Sequence, residues 1–436
     1  MPVGADGPMN RLRLEFEKLK ASTLARNAGW MLLGQGLGLV SQALYFVFLA
    51  RLLGTSQYGI YAGTFAFVSM VAQYGSLGSD TLFIRYVSSN RQNFRAYWGN
   101  ILLLVSGLSM LLAALLHLLG HWILNPASAS IVFPAAISIC FCNQMAFAAG
   151  RVFQAYEQLR VTAMMNLLTN VLRLIAAIGM VTALHHATAR QWVMASLAIS
   201  FIGAVVAVAT VCVRIGLPTF RPSLIKKHAA EGLQYSFSQS TSSLYNDLDK
   251  TMLSHYGMNT ENGVYSMAYR VVEIATIPIF SLRDAAIPRY FVQGAKGIQH
   301  SYALGRSLMN KAIWLGAAGA AGMFFFAPVI PYIVGHGFSQ SVSALRWLCL
   351  IPFFRSVHQM TGAALTGAGL QRYRTTTQCI AAGANFLLNL WLIPRHGWLG
   401  AAWASLLTDG GLGIMNWTIA SRLARAAEKE AIAISA

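Results

Sequence analysis

Six cations sit inside long apolar stretches of this 436-residue chain: Arg173, Lys250, Arg270, Lys311, Arg346 and Arg355. A charge in hydrocarbon costs roughly 3 kcal/mol on insertion scales, so such residues pair, reach the interface or face a wet cavity. Lys311 and Arg346 fall near the ends of their stretches and can extend their head groups to the interface. Arg173 and Arg355 fall near the middle and are expected to face an internal cavity. There a guanidinium can hold a phosphate or carboxylate through paired N–H donors. The densest group is Asn246-Asp247-Leu248-Asp249-Lys250, followed across a short turn by Arg270-Val-Val-Glu273. The i, i+3 spacing puts Arg270 and Glu273 on one helix face. Arg173, Arg355, Lys250 and Arg270 are the candidate anion site. Asp247, Asp249, Lys250, Arg270 and Glu273 comprise three acids and two bases, which leaves one acid in excess. Such an acid is what a coupling proton or sodium ion would neutralise, so Asp247, Asp249, Glu273 and the isolated Asp409 are the candidate coupling residues. Asp409 is equally able to neutralise Arg355.

Other chemistry is scarce. The chain has no G-x-S-x-G, H-E-x-x-H or Walker A sequence. His185-His186 has no acid at ligand spacing. Cys140-Phe-Cys142 lacks the spacing of a C-x-x-C site, and Cys212, Cys349 and Cys379 also lie in apolar segments, so free thiols are expected. The expectation is a protein that is not an enzyme and needs no cofactor or metal. Without a nucleotide site, transport must draw on an ion gradient or on the substrate's own gradient.

The elements that position these residues are membrane helices. The chain is 56% hydrophobic and 11% charged, with mean hydropathy +0.52, against about 25% charged in a soluble domain. Twelve stretches long enough to cross a bilayer are read at 27–49, 58–80, 97–120, 130–153, 161–184, 192–213, 230–255, 263–287, 307–334, 341–368, 375–393 and 398–421. The fold class is therefore an all-α polytopic membrane protein. Both termini and the even-numbered loops hold 23 Lys and Arg, whereas the odd-numbered loops hold Arg51, Arg190 and Arg395 alone. That bias places both termini in the cytoplasm. The net charge of +18 is then an orientation signal and an attraction to anionic lipid, not a nucleic-acid surface. Residues 1–26 read as a cytoplasmic lead in which Arg11 to Lys20 has some amphipathic character. The first apolar run is too long for a cleaved signal.

The chain also repeats itself. Gly59-Ile60-Tyr61 returns as Gly263-Val264-Tyr265, and Asp80 to Tyr86 as Asp284 to Tyr290, both at an offset of 204 residues. Two related halves follow: a first lobe over 27–213, a basic hinge over 214–229 with Pro218 and Pro222, a second lobe over 230–424, and a tail over 425–436. Duplication of this kind is the architecture of transporters that move two lobes around a central site. Asp80, Arg85, Asp284 and Arg289 recur at the inner ends of the second and eighth helices and are expected to form a clasp or gate. The charged group of the seventh and eighth helices has no counterpart in the first half. Small residues at Gly29, Gly34, Gly36, Gly38 and Ala317 to Gly322 suit close helix packing. Pro278, Pro288, Pro328, Pro331 and Pro352 mark breaks.

Three segments carry a resemblance to a known family: Ala50-Arg-Leu-Leu-Gly54-Thr-Ser-Gln-Tyr-Gly59-Ile-Tyr61; Asp249 to Gly257 with Gly263-Val-Tyr265-Ser-Met-Ala268; and Gly397-Trp-Leu-Gly400-Ala-Ala-Trp-Ala404. Over about residues 24–424 the chain resembles the polysaccharide-export and oligosaccharide-flippase family of the multidrug/oligosaccharidyl-lipid/polysaccharide superfamily. It departs in lacking an equivalent of Gly397–Ala404 in the sixth helix. The resemblance implies two six-helix lobes of MATE type that flip a polyprenyl-diphosphate-linked oligosaccharide across the bacterial inner membrane, for O-antigen or exopolysaccharide synthesis. The implied partners are that lipid-linked oligosaccharide, membrane lipids, and a glycan polymerase with its chain-length machinery. Tyr45, Tyr74, Trp98, Tyr245 and Trp391 could stack on sugars. The alternatives are a drug/cation antiporter, which needs an acid-dominated cavity; a cell-wall precursor flippase, usually of fourteen helices; and a membrane glycan polymerase or acyltransferase, which needs outer loops or a catalytic cluster.

Overall fold

The computed structural model describes the backbone of residues 8–435 except His185, and the side chains of residues 36–429 except Ser89, His185, Lys227 and Ser238. The side chains of Arg11–Lys20, the packing around Gly29 and Gly34, and His185 lie outside what is described. The described backbone is mostly helical and contains no strand.

One helix, Pro8–Ala72, holds the first crossing and half of the second. Gly54, at φ 66°, turns the chain between them, a conformation that costs other residues a Cβ clash. A short turn at Gln73–Gly75 leads into Ser79–Ser89, which completes the second crossing. The third is Phe94–Ile123. The fourth is assembled from Pro126–Ala129, Val132–Ala136, a π-helical stretch Ile137–Asn143, and Gln144–Ala155. The fifth and sixth are Leu159–Leu184 and Ala189–Arg214. The seventh to ninth are Pro222–His255, Asn259–Gly294 and Ile298–Phe326. The tenth is split into Ser341–Leu348 and Ile351–Gly367, and Gln371–His396 and Trp398–Ser435 close the bundle. The connector expected over 214–229 is thus shorter, because Pro222 opens the seventh helix at a position where proline's missing N–H costs nothing. The expected tail likewise continues the twelfth helix to Ser435. Among the described residues, every cysteine is free.

Seven stretches are apolar and long enough to cross a membrane by composition. One of them, Gly36–Ser88, spans two crossings. The crossings that fall short are the seventh, eighth, tenth and twelfth. The tenth is broken, and the others carry charged and amide side chains in mid-helix. These four helices surround one polar interior in the second half, so their low hydropathy is the trace of buried polar contacts.

The packing differs at the two ends. At the end bearing the odd-numbered connections, one hydrophobic core joins both halves, with Leu49, Leu52, Tyr58 and Trp192 from the first and Leu253, Tyr265, Phe338 and Leu345 from the second. Hydrogen bonds cross there too. Asn125 Nδ2 donates to the Ser254 carbonyl at 2.6 Å and to Asn259 Oδ1 at 2.9 Å, and Arg51 donates to the carbonyls of Ile333 and Tyr332. At the even end the cores are separate: one around Trp98 and Phe153 in the first half, two smaller ones around Met309 and Tyr290 in the second. The lobes are joined at the odd end and parted at the even end, apart from the seventh helix. That helix stays against the first half through Ser240 Oγ to the Met70 carbonyl and Ser236 Oγ to the Gln73 carbonyl.

Candidate functional site

Below the shared core, between the halves, lies a cavity of about 160 Å³. Gln42 and Tyr45 of the first crossing, Tyr61 and Phe65 of the second, Arg173 of the fifth and Arg270 of the eighth line it. The cavity therefore brings together two of the four expected anion-binding cations, one from each half. It shares Gln42, Asn170 and Arg173 with a wider cavity of about 540 Å³, walled also by Asn143, Gln154, Thr162, Asn166 and Thr169. Among the described residues, no Asp or Glu lines either cavity. A third cavity, of about 330 Å³, shares Phe65 and Ile139 with the first and reaches Asp80 and Arg151 toward the even end.

Arg173 is held, not free to swing. Its Nη2 donates to Asn143 Oδ1 at 3.1 Å and to Ser200 Oγ at 2.9 Å, and its buried Nε has no partner. Among the described residues, no carboxylate lies within ion-pair distance of it. Asn143 is the last residue of the π-helical stretch, whose extra residue per turn rotates later side chains relative to an α-helix. Asn143 and Ser200 give no sequence signal, because a single amide and a single hydroxyl in apolar helices are ordinary. Arg270 differs: its Nη1 lies 2.7 Å from Glu273 Oε2, and its guanidinium sits 4.5 Å from the Phe46 ring of the other half.

The rest of the charged group turns inward. Lys250 Nζ donates to Asp247 Oδ1 at 2.8 Å and to the Asn246 carbonyl at 2.7 Å, and lies 4.2 Å from the Tyr269 ring. Asp247 also accepts from Ser69 Oγ of the first half at 2.8 Å. With Lys250 paired to Asp247 and Arg270 to Glu273, the acid left over is Asp249. It is buried and accepts from the Tyr265 hydroxyl, from Ser405 Oγ at 3.1 Å and from the Lys250 backbone N–H at 2.7 Å.

Arg355 does not line the inter-lobe cavity, contrary to the expectation that it faces it as Arg173 does. It is buried within the second half, where Nη2 donates to Asn246 Oδ1 at 2.8 Å and to the Tyr269 hydroxyl at 2.6 Å, and Nε stands 3.6 Å from Asp409 Oδ2. The other oxygen of Asp409 is 3.4 Å from His358 Nε2. Of the two roles open to Asp409, neutralising Arg355 is the one this geometry serves, and His358 is a member that sequence reasoning missed. Lys311 and Arg346 are exposed on the bundle, as reach to the interface requires.

The four residues expected to form a clasp do not pair among themselves. Asp80 accepts from Ser76 Oγ at 3.2 Å and lies 3.9 Å from Arg151. Arg85 pairs with Glu231, which links the second crossing to the seventh. Asp284 pairs with its neighbour Arg283 at 2.7 Å, and Arg289 is exposed. Of the aromatic candidates, Tyr45 lines the cavity. Trp98 and Tyr245 are core residues, and Trp391 is 59% exposed outside the bundle. Tyr74 is half-buried and lines none of the cavities above.

Comparison with known proteins agrees with this architecture. The chain is similar to an inward-facing multidrug-resistance MATE transporter of the MOP superfamily, at 14% identity and TM-score 0.70, over 89% of this chain and 96% of that one. It is similar to the lipid II flippase MurJ in an inward closed conformation, at 12% identity and TM-score 0.70, over 91% and 87%. Against an outward-facing MATE transporter the TM-score is 0.58, at 16% identity, over 92% and 96%. No curated protein sequence matches. The family model described as "Polysaccharide biosynthesis protein" matches residues 24–293, more than half of the chain. With two six-helix lobes of MATE type around a cation-lined cavity, the chain belongs to the polysaccharide biosynthesis protein family and has the fold of a multi-pass membrane transporter.

Proposed function

We propose that the protein flips a polyprenyl-diphosphate-linked oligosaccharide across the bacterial inner membrane by alternating access, supplying surface polysaccharide synthesis. The observation that carries this reading is the cavity between the halves, with no Asp or Glu among its described lining residues, Arg173 in its wall without a carboxylate partner, and Arg270 in its wall beside Glu273. In a site shielded from water, an unpaired guanidinium favours an anion through charge-assisted hydrogen bonds. A drug/cation antiporter would need carboxylates there. The chemistry of the two compartments also suits the two parts of the substrate. At about 30 Å³ per water, the cavity of about 160 Å³ has room for a small charged group. The wider one, walled by Asn, Gln and Thr side chains, offers the donors and acceptors that sugars use. The bias of Lys and Arg toward the even-numbered loops supports placing that end, with both termini, in the cytoplasm. The cavity then opens toward the side where lipid-linked sugars are made. The lobes are assigned to 27–213 and 230–424, and rocking them around the joined end would expose the cavity to the other side.

Coupling is assigned to Asp249, the acid left without a cationic partner once Asp247 and Glu273 are paired. Reconstituted vesicles with a fluorescent lipid-linked oligosaccharide test the whole reading. Wild-type protein should transfer the probe between leaflets, and Arg173→Gln should reduce the rate at least about tenfold with unchanged membrane abundance. Undiminished transfer by that variant, or preferential transfer of a cationic drug, would reject it.

A further inference from the structure

Arg173 and Arg270 line one cavity but are not in the same electrostatic condition. Arg173 donates to an amide and a hydroxyl, and no carboxylate among the described residues lies within ion-pair distance of it. Arg270 already holds an anion, the Glu273 carboxylate at 2.7 Å, one helical turn along its own helix. The pair is not sealed away. The Arg270 and Glu273 side chains are 32% and 39% exposed, and both line a small gap of about 20 Å³ where Tyr58, Tyr61 and Phe65 of the second crossing meet the seventh and eighth helices. Tyr61, Phe65 and Arg270 also line the main cavity, so the gap adjoins it. The carboxylate that satisfies Arg270 is thus within reach of the cavity's contents.

From this we infer that Glu273 is an internal stand-in for one phosphate of the substrate. It occupies Arg270 while the cavity is empty, is displaced when a diphosphate spans Arg173 and Arg270, and re-forms its pair with Arg270 as the substrate leaves. The inference rests on the anion-binding reading above and adds a regulatory residue to that site. The physical reason lies in the affinity a carrier can tolerate. Two guanidinium groups in a shielded cavity would hold a diphosphate too tightly to release it, because charge-assisted hydrogen bonds strengthen as water is excluded. A carboxylate that reclaims one guanidinium lowers the net binding free energy and gives the departing phosphate a replacement in the same place. An adjacent fixed anion that never moves would act differently, since it would repel an anion bound at Arg173 as well.

Titration calorimetry on purified full-length protein in nanodiscs separates the two, with inorganic phosphate and pyrophosphate as probes. The proteins are wild type, Glu273→Gln, Arg270→Gln, the double variant, and Arg173→Gln. With displacement, Glu273→Gln tightens pyrophosphate binding about fivefold or more and leaves single-phosphate binding, at Arg173, within about twofold. In the Arg270→Gln background, removing Glu273 then changes neither affinity. A gain of this kind does not arise from misfolding. Equal tightening of both anions, or tightening that persists without Arg270, would show fixed repulsion and overturn the inference while leaving the anion site standing. Absence of pyrophosphate binding in wild type, or binding that survives in Arg173→Gln, would overturn the anion-site reading and this inference with it.

Discussion

Gly59 and Gly263, the two glycines that stand in the same place in the repeated sequence, meet each other between the halves. A Cβ on Gly59 would lie 2.7 Å from the Gly263 nitrogen and 1.7 Å from the Asn259 carbonyl oxygen. One on Gly263 would lie 1.9 Å from the Thr55 carbonyl oxygen. Asn262 Nδ2 donates to the Gly59 carbonyl at 3.1 Å beside the contact. The duplicated motif is therefore the seam where the second and eighth crossings touch backbone to backbone, at the joined end of the molecule. Close approach through small residues is the geometry that van der Waals packing favours between helices in lipid.

That seam predicts its own test. Gly59→Ala and Gly263→Ala each push the helices apart, and overpacking of this kind costs about 1–3 kcal/mol. Both should lower the melting temperature in detergent and reduce transfer between leaflets. Gly107→Ala, where an added methyl meets nothing within 4 Å, should do neither. Wild-type melting of both seam variants would mean that the crossing is not tight.

Arg173 and Arg355 should respond differently to removal. Arg173→Gln takes a cation from the cavity wall and should leave the fold intact while transfer falls. Arg355→Ala leaves Asp409 buried without its guanidinium neighbour, a change that typically costs about 3–5 kcal/mol. It should lower the yield of folded protein, and Arg355→Met with Asp409→Leu should recover much of it. Yield and melting temperature read the difference; equal melting of Arg355→Ala and wild type would remove Arg355 from the structural role.

The acids of the seventh helix should also separate. Asp249→Asn is expected to abolish the dependence of transfer on an imposed proton or sodium gradient. Asp247→Asn strips Lys250 of its counter-charge and should lower the melting temperature, yet keep the gradient dependence. Vesicle assays with each gradient on and off make the comparison. Retained dependence in Asp249→Asn would end its coupling role.

What local rules control could be read from the order of the residues alone. Apolar runs and the placement of Lys and Arg marked a many-helix membrane protein with a sided charge, because partition into lipid is summed residue by residue. The repeat at Gly59 and Gly263 marked two halves. The Arg270–Glu273 pair was legible because i, i+3 neighbours share a helix face wherever the helix goes. Everything that depends on how helices are rotated against one another emerged only in the folded bundle. Arg173 and Arg355 look alike in sequence, but rotation and depth turn one to the cavity and the other into the polar interior with Asp409 and His358. The π-helical stretch sets Asn143 against Arg173. Glu231, not Asp80, meets Arg85, and Asp249 becomes the leftover acid once its neighbours have paired. A side chain's partner across a helix interface depends on crossing angle and axial shift. Those quantities emerge from packing the whole bundle, so one-dimensional spacing does not contain them.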